Sequence, residues 1–426
     1  MLKKGKKSIP LAVAGLLFWN VAAVWAAPVD LTLSDSLAAA LQNNPAVKMA
    51  AADQEKAQWG IKEAEGAKLP SLSLGSSYTD SSGAGAGTGG GNDSWSNSLR
   101  LNWQLYSAGR TESQISQAKQ GLTVAEAGME KTKQQLRLDT TVAYYNVLQA
   151  RNSVRVNQET VDSLRQHLAN VQAKYDAGVV AKSDVLRSDV ELANAAQNLT
   201  KAQNAYDGAV VSLNNLMGYA QDTELALKDE LSEITDSRTL EECLQQALKQ
   251  RPEIQQAEAN IAIAREGKDI ARSGNLPSVN LSGTNSWNDS FLPDDDNHWS
   301  VGLSASWNIF DGNITRAKVR SADATWDKAG EQARQTRDNV ETEVRQTYLS
   351  VQEAYKRIDT TKTAVAKAEE DVNISQVKYN AGAGTNIEVM DAQLALTQAK
   401  INYIQALYDF NVSKAKLDKA AGTQHN

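Results

Sequence analysis

The sequence predicts an α+β membrane protein in which long helical coiled coils are joined to membrane-spanning β-strands. Three observations predict it: an internal repeat, apolar residues at seven-residue intervals, and segments that alternate between apolar and polar residues. The 426-residue chain has a formal net charge of −7 and no basic block beyond its first few residues. We therefore expect no binding to nucleic acid, which requires clustered positive charge.

Residues 1–26 have the pattern of a secretory signal peptide. A lysine-rich start precedes a mostly apolar run, and Val24–Ala26 provides small residues before a cleavage site. The alternative is an uncleaved membrane anchor. It is disfavoured because Pro10 and Asn20 interrupt a run that is already short for crossing a bilayer. We expect an exported protein.

The remaining chain contains one unit twice. The segment that begins at Leu33 returns 207 residues later at Leu240. Farther along, the stretch Tyr175–Leu186 returns 204 residues later as Tyr379–Met390, with Tyr, Gly, an acid and Val at matching places. The predicted organisation is a signal peptide at 1–26, repeat 1 at 27–230 and repeat 2 at 231–426.

Each repeat contains two segments with the two-residue period of a half-buried strand. The strands are predicted at about 71–81 and 94–106 in repeat 1, and at about 278–288 and 297–310 in repeat 2. Four strands cannot close a barrel, which needs about eight, so other copies of the chain must supply the rest. Two chains would give eight strands and three would give twelve. The alternative is a soluble sandwich or a sheet packed on the helices. Tryptophans expected at the membrane interfaces are Trp95, Trp103, Trp299 and Trp307.

A long helical hairpin follows each strand pair, at 107–218 in repeat 1 and 311–422 in repeat 2. Apolar residues recur every seven positions along both arms, as at Val185, Leu192 and Leu199. A sustained seven-residue repeat is typical of coiled coils. At about 1.5 Å per residue, the longer arms would extend about 100 Å.

The two arms of each hairpin meet at a turn that contains glycine. Gly178 and Gly382 suit the left-handed backbone that ends a helix. On the returning helices, Glu388 and Asp391 lie three residues apart and therefore on one face. If several copies surround an axis, these carboxylates would form a ring of like charge. The alternative is an ordinary capped corner. N-cap candidates are Ser183 or Asp184 in the first turn and Thr385 or Asn386 in the second.

No set of residues indicates catalysis, a cofactor or a metal centre. The glycine-rich stretch Gly85–Gly90 lies between two strands of a hairpin, whereas a dinucleotide site requires a strand before it and a helix after it. Asp294–Asp296 fits a solvated loop better than a cation site. The three histidines are isolated in sequence, and the single cysteine, Cys243, fits a packed helical position. We expect no enzyme activity and no bound cofactor.

The mature chain, 27–426, resembles the TolC-like outer-membrane factors, most specifically at the turn pattern of Tyr175–Leu186 and its repeat. The resemblance implies a homotrimer whose twelve-stranded transmembrane β-barrel, contacting outer membrane lipid, continues into a helical coiled-coil barrel in the periplasm. It also implies a gate at the periplasmic tips and a periplasmic adaptor that contacts those tips. By this resemblance, the gate residues are Asp184, Tyr379, Glu388 and Asp391, and the adaptor-contact residues are Gly178, Val179, Val180, Gly382 and Ala383.

The sequence departs from the family pattern at two tip positions. Gly384 stands where the best-known pattern has an arginine that clamps the closed tip, and Glu388 replaces an aspartate. We therefore expect the closed tip to be held less firmly, or to be held by other contacts.

The expected function is the passive outer-membrane exit duct of a tripartite export system, opened by an adaptor and an inner-membrane pump. The resemblance covers both small-molecule efflux and type I protein secretion through an ABC exporter, and efflux is the first expectation. An alternative of another class is a secreted coiled-coil scaffold or adhesin. The sequence leaves the cargo open.

Overall fold

A computed structural model of the chain describes residues 29–81, 92–233, 238–288, 292–293 and 297–423. The predictions for 1–26, Gly85–Gly90 and Asp294–Asp296 lie outside these ranges. The elements, in chain order, are β1 Val29–Leu31, α1 Leu33–Asn43, α2 Pro45–Gly66, β2 Ser71–Ser81, β3 Asn92–Tyr106, α3 Arg110–Asp176, α4 Lys182–Met217, β4 Leu225–Leu227, α5 Leu240–Gln250, α6 Pro252–Arg272, β5 Ser278–Asn288, β6 His298–Ser306, α7 Ile314–Asn380 and α8 Asn386–Ala421.

The short helices begin with strong local signals. Thr32 caps α1 and Thr239 caps α5, each in a reciprocal capping box with an acid three residues on. Proline occupies the first position of both α2 and α6, where its missing N–H costs nothing. The two halves of the chain therefore begin alike.

Two helical hairpins dominate the molecule. α3 and α7 each have 67 residues, and α4 and α8 each have 36. Apolar contacts join the arms within a hairpin: Val161 and Leu164 of α3 pack with Ala195 of α4. In the other hairpin Val372 packs with Leu396. α3 also lies against α8, so the four helices form a row in the order α4, α3, α8, α7.

The larger sheet is antiparallel, in the order β2, β3, β5, β6. Its register sorts the side chains by polarity. One face carries rows such as Leu72, Leu101, Gly283 and Val301, while the opposite face carries serine, asparagine and threonine. β2 and β6 are the edge strands of this sheet.

The last predicted strand ends earlier than expected. β6 stops at Ser306, which pairs with Ser278 at the start of β5, instead of continuing to position 310. A strand needs a hydrogen-bonded neighbour, and β5 supplies none beyond Ser278. Residues Trp307 to Ile309 therefore alternate as a strand would in sequence, but they do not form one.

A second, two-stranded parallel sheet of β1 and β4 lies beside the middle of α3. Tyr144 of α3 is fully buried there, and its Oη donates to Oδ2 of Asp229 at 2.7 Å. Arg151 donates to the carbonyls of Leu227 and Asp229 at 2.7 and 2.9 Å. These contacts bind the loop after β4 to the long helix. Within the described ranges, no helix combines the length and apolarity needed to cross a membrane.

Candidate functional site at the tips of the helical hairpins

Both hairpins turn through a glycine-dependent helix end. Gly178 has φ 75° and Gly382 has φ 76°, a left-handed conformation that favours glycine. The following amides then reach back, from Val179 N to Lys174 O at 2.9 Å and from Ala383 N to Lys378 O at 2.9 Å. The predicted adaptor-contact residues Gly178, Val179, Gly382 and Ala383 are exposed, and Val180 is half-buried.

The returning helices start differently. Ala181 precedes α4 without a side-chain cap, so neither Ser183 nor Asp184 is its N-cap. Thr385 caps α8, and the carboxylate of Glu388 accepts the Thr385 N–H at 3.0 Å. Glu388 therefore has a local structural task in addition to its negative charge. Asp391 is exposed one turn farther along.

An apolar cluster joins all four helices at the tips. Val171 of α3, Tyr379 of α7 and Val389 of α8 are buried together, with Val185 of α4 and Val180 of the first turn packed against them. Burial of these side chains stabilises the contact between hairpins, because each removes apolar surface from water. We refer to these five residues as the tip cluster.

Tyr379 and Asp184, the predicted partners in the gate, influence each other electrostatically. Burial raises the pKa of the Tyr379 phenol, and the negative charge of Asp184 raises it further. The Tyr379 Oη nevertheless has no hydrogen-bond partner among the described residues. Tyr379 and Asp184 therefore interact electrostatically, without a direct hydrogen bond.

His167 and Asn386 form a buried polar contact beside the tip cluster, which was not predicted from the sequence. His167 Nε2 lies 2.6 Å from Asn386 Oδ1. Asn386 Nδ2 donates to the Asp184 carbonyl and to Ser188 Oγ, both at 3.1 Å, so its Oδ1 is the acceptor and His167 Nε2 carries the proton. Burial lowers the pKa of His167, opposed by this hydrogen bond, and the Lys174 ammonium lowers it further.

Lys174 makes the second contact that the sequence did not reveal. Its Nζ donates to the Tyr379 carbonyl at 2.7 Å and lies 3.9 Å from the centroid of the Tyr379 ring. The carbonyl is at the C-terminal end of α7, where the helix dipole favours a cation. A cation–π contact adds to the same attraction. Lys174 therefore attaches the end of α3 to the end of α7.

Gly384 has little room for any side chain. A Cβ built there would lie 3.0 Å from Lys378 Cβ and 3.1 Å from both Tyr379 N and Glu388 Oε2. The Gly384 amide also donates to the Lys378 carbonyl at 3.1 Å. The turn is therefore tight at the position where the family pattern has an arginine. Lys174, from the opposite hairpin, contacts Tyr379 on the same turn.

The predicted interface tryptophans belong to the larger sheet. Trp95, Trp103 and Trp299 are exposed on its apolar face, and Trp307 is exposed just beyond β6. Trp103 Nε1 donates to Lys68 O at 2.8 Å, and Trp307 Nε1 donates to Asn275 O at 3.0 Å. Both rings are thereby fixed where the strands meet the helices.

The described residues contain no group of three or more His, Cys, Asp or Glu arranged to hold a metal ion. Cys243 is buried, as its helical position predicts.

The sequence also matches a family model. The model for outer membrane efflux proteins matches residues 37–219 and, separately, residues 243–423. The chain belongs to the outer membrane efflux protein family. Efflux across the outer membrane is its function and the cell outer membrane is its location, so these two predictions are confirmed.

This efflux protein is similar to several characterised relatives. It is 26% identical over 395 residues to Outer membrane protein TolC of Escherichia coli K12, covering 89% of this chain and 80% of that protein. The solved structure of VceC from Vibrio cholerae has a TM-score of 0.79 at 20% identity, covering 92% and 96% of the two chains. MtrE of Neisseria gonorrhoeae, solved in an open state, has a TM-score of 0.79 at 18% identity, covering 92% and 89%.

Proposed function

We propose that this efflux protein is the passive exit duct of a tripartite export system and acts as a homotrimer with internally duplicated protomers. The observation that carries the proposal is the larger sheet, which has one apolar face, one polar face and two edge strands. An open sheet edge cannot lie in lipid, because its backbone N–H and C=O groups would be unpaired. Joining β6 of one protomer to β2 of the next closes twelve strands into a barrel.

The tryptophans support membrane insertion of that barrel. Trp95 and Trp103 are eight residues apart on one strand, about 27 Å at about 3.4 Å per residue. With a strand tilt of about 40°, this spans about 20 Å along the membrane normal, close to the apolar band of about 25 Å in such barrels. Trp299 and Trp307 have the same spacing. The polar face, rich in serine and asparagine, lines the water-filled duct.

The hairpins form the periplasmic part of the duct. In the row α4, α3, α8, α7, the two outer helices expose apolar side chains, including Leu186 and Val190 of α4 and Leu349 and Val377 of α7. Three rows placed side by side cover these residues and close a tube of twelve helices. The exposed tips at Val179 and Ala383 are where a periplasmic adaptor binds.

The gate lies at the same end. Tyr379, through the tip cluster, and Asp184, whose carbonyl accepts from Asn386 Nδ2 at 3.1 Å, hold the two hairpins of a protomer together. The exposed carboxylates of Glu388 and Asp391 form acidic rings around the duct. Opening moves the hairpin 311–422 relative to the hairpin 107–218. The system partner is a proton-driven pump in the efflux case, and type I secretion through an ABC exporter is the second candidate.

Planar-bilayer recordings on the purified trimer test this function. We expect ion conductance with a preference for cations, because two acidic rings attract them. The double substitution Glu388→Gln with Asp391→Asn should remove most of that preference, whereas Asp176→Asn, outside the rings, should leave it unchanged. Equal cation and anion permeability in the unmodified protein would contradict the gate assignment. A water-soluble dimer would instead indicate a coiled-coil scaffold.

A further inference from the structure

The seam between the two hairpins of one chain is polar. Side chains of α3 and α8 meet across it in hydrogen-bonded pairs: Gln149 Nε2 with Gln405 Oε1 at 2.6 Å, Ser163 Oγ with Gln393 Oε1 at 2.9 Å, and His167 Nε2 with Asn386 Oδ1 at 2.6 Å. These six side chains carry no charge when the histidine is neutral.

The repeat predicts a second seam of the same kind. α3 and α7 have equal lengths and begin 204 residues apart, and so do α4 and α8. A shift of 204 residues therefore turns the α3–α8 seam of one chain into a seam between α7 and α4. Those two helices are the outer members of the row, so the second seam joins α7 of one protomer to α4 of the next.

Three of the four neutral hydrogen-bonded pairs in the α3–α8 seam become pairs of opposite charge under this shift. Gln149 and Gln405 correspond to Glu353 and Lys201, Ser163 and Gln393 correspond to Lys367 and Asp189, and His167 and Asn386 correspond to Asp371 and Lys182. The sign alternates along each helix: negative, positive, negative on α7 opposite positive, negative, positive on α4. Surface charges that faced only water would not be expected to have opposite signs at all three pairs of positions.

The remaining polar contacts of the α3–α8 seam map to small side chains. Thr160 and Thr397, joined at 2.8 Å, correspond to Ala364 and Ala193. The ion pair of Lys400 with Glu159, at 3.1 Å, corresponds to Ala196 and Thr363. Small residues at these places let the two helices approach each other between the charged positions.

The exposure of equivalent residues on α8 and α4 also supports a second seam. Met390 and Asn386 of α8 are each 4% exposed because α3 and α4 cover them, whereas their counterparts on α4, Leu186 and Lys182, are exposed, Leu186 to 56%. All six charged residues are exposed in the single chain. Two of them make ion pairs within α7, Glu353 with Arg357 and Lys367 with Glu370, and the other four make none among the described residues.

We propose that three ion pairs, Glu353–Lys201, Lys367–Asp189 and Asp371–Lys182, join α7 of each protomer to α4 of the next protomer and fix the register of the helical barrel. The proposal rests on the trimer of the proposed function and names its binding surface. Alternating signs stabilise this one alignment. If two α7 helices or two α4 helices paired, or if one helix slipped along the other, like charges would face each other. The alternating signs therefore also disfavour wrong assemblies.

The contact at the tips extends the same pattern. Lys174 binds the carbonyl and ring of Tyr379, and the shift assigns Lys378 to Tyr175 of the neighbouring protomer. Tyr379 is 4% exposed and Tyr175 is 37% exposed, as expected if its cover comes from another chain. Six lysine–tyrosine contacts would then surround the tip of the trimer.

Cross-linking tests the pairing. The chain has one cysteine, so Cys243→Ser provides a cysteine-free background. In it, Lys182→Cys with Asp371→Cys should react with a short bismaleimide to give covalent dimers and trimers in outer membranes. The matched control, His167→Cys with Asn386→Cys, should link within one chain and leave only the monomer band after denaturation. Absence of linked oligomers from the first pair, in a protein that still forms trimers, would overturn the proposed pairs and leave the trimer standing.

Charge reversal gives an independent measurement. Asp371→Lys alone and Lys182→Asp alone should each lower the temperature at which the detergent-extracted trimer dissociates, since each places like charges across the seam. The double variant restores opposite charges and should regain most of the loss. A double variant as unstable as the sum of the two single variants would contradict the pairing, whereas a wild-type chain without any trimer would refute the proposed function itself.

Discussion

Lys174 attaches the two hairpins of the chain to each other at the tip. Gly384 suggests a weakly held tip, because a clamping arginine is absent from its family position. A cation from the other hairpin nevertheless binds the end of α7: Lys174 of α3 lies over the Tyr379 ring and donates to its carbonyl. The crowding around Gly384 gives the physical reason why a side chain at that position is disfavoured.

Replacing Lys174 should therefore loosen the gate. Lys174→Met keeps the aliphatic stem but removes the hydrogen bond and the cation–π contact, each of which contributes on the order of 1 kcal/mol. We expect a higher open probability in planar bilayers and greater sensitivity of cells to large antibiotics. Lys174→Arg should largely preserve closure, and Lys62→Met, on α2, should have no effect. An unchanged open probability in Lys174→Met would exclude this role.

His167 should make the tip sensitive to pH. The charged group beside it is Lys174 on α3, while Tyr379 and Asn386 face it from α7 and α8. Burial lowers its pKa below the ordinary value of 6.5, so an opened or unfolded tip binds the proton more tightly than the closed tip. Closure is then most stable above pH 6.5 and weakens as the pH falls through 6.5 towards the lowered pKa.

The open probability should accordingly rise as the pH is lowered from about 7.5 to about 5.5. His167→Gln retains a donor for Asn386 without a titrating group and should flatten the profile. The measurement is single-channel recording at fixed ionic strength. A pH profile that is the same in both proteins would show that other groups control the gate.

At the scale of elements, the seams within and between hairpins differ in chemistry. Within a hairpin the arms bury valine, leucine and alanine, as between Val161 and Ala195. Between hairpins the seam is held by polar pairs such as Thr160 with Thr397 at 2.8 Å. Hydrogen bonds that can be exchanged for water contribute less net stability than apolar burial. Each hairpin is thus suited to move as a unit, and the tip cluster is the apolar contact that the proposed opening would break.

At the scale of the whole molecule, the two faces of the larger sheet differ in polarity. The row of Trp103, Leu281 and Leu303 shows how the register collects apolar side chains from three strands. Exposure of such a face to water is costly, and contact with lipid removes that cost. The confirmed outer-membrane location agrees with this arrangement.

A pair of neighbouring substitutions on β6 tests the assignment of the faces. Leu303→Arg places a charge on the apolar face, which contacts lipid in the proposed barrel, and should reduce the amount of trimer in the outer membrane, because a charge in the apolar band costs up to about 2–4 kcal/mol. Ser304→Arg, on the opposite face, should be tolerated and should alter conductance instead. Quantitative blotting of outer-membrane fractions compares the two. Equal losses in both variants would contradict the assignment.

The sequence by itself determined the strand pairs, the hairpins, the glycine turns and the family. These depend on local periods of two and seven residues and on backbone conformations that glycine favours, so they can be read within short windows. The end of β6 at Ser306 needed the structure, because a strand ends where its partner ends.

The tertiary structure alone decided which side chains meet at the tips. His167 and Asn386 are 219 positions apart, and Lys174 and Tyr379 are 205 apart. Their contacts depend on how far one helix is rotated and shifted along another, which a heptad pattern leaves undefined. The same arrangement, combined with the repeat in the sequence, is what points to the charged seam between protomers.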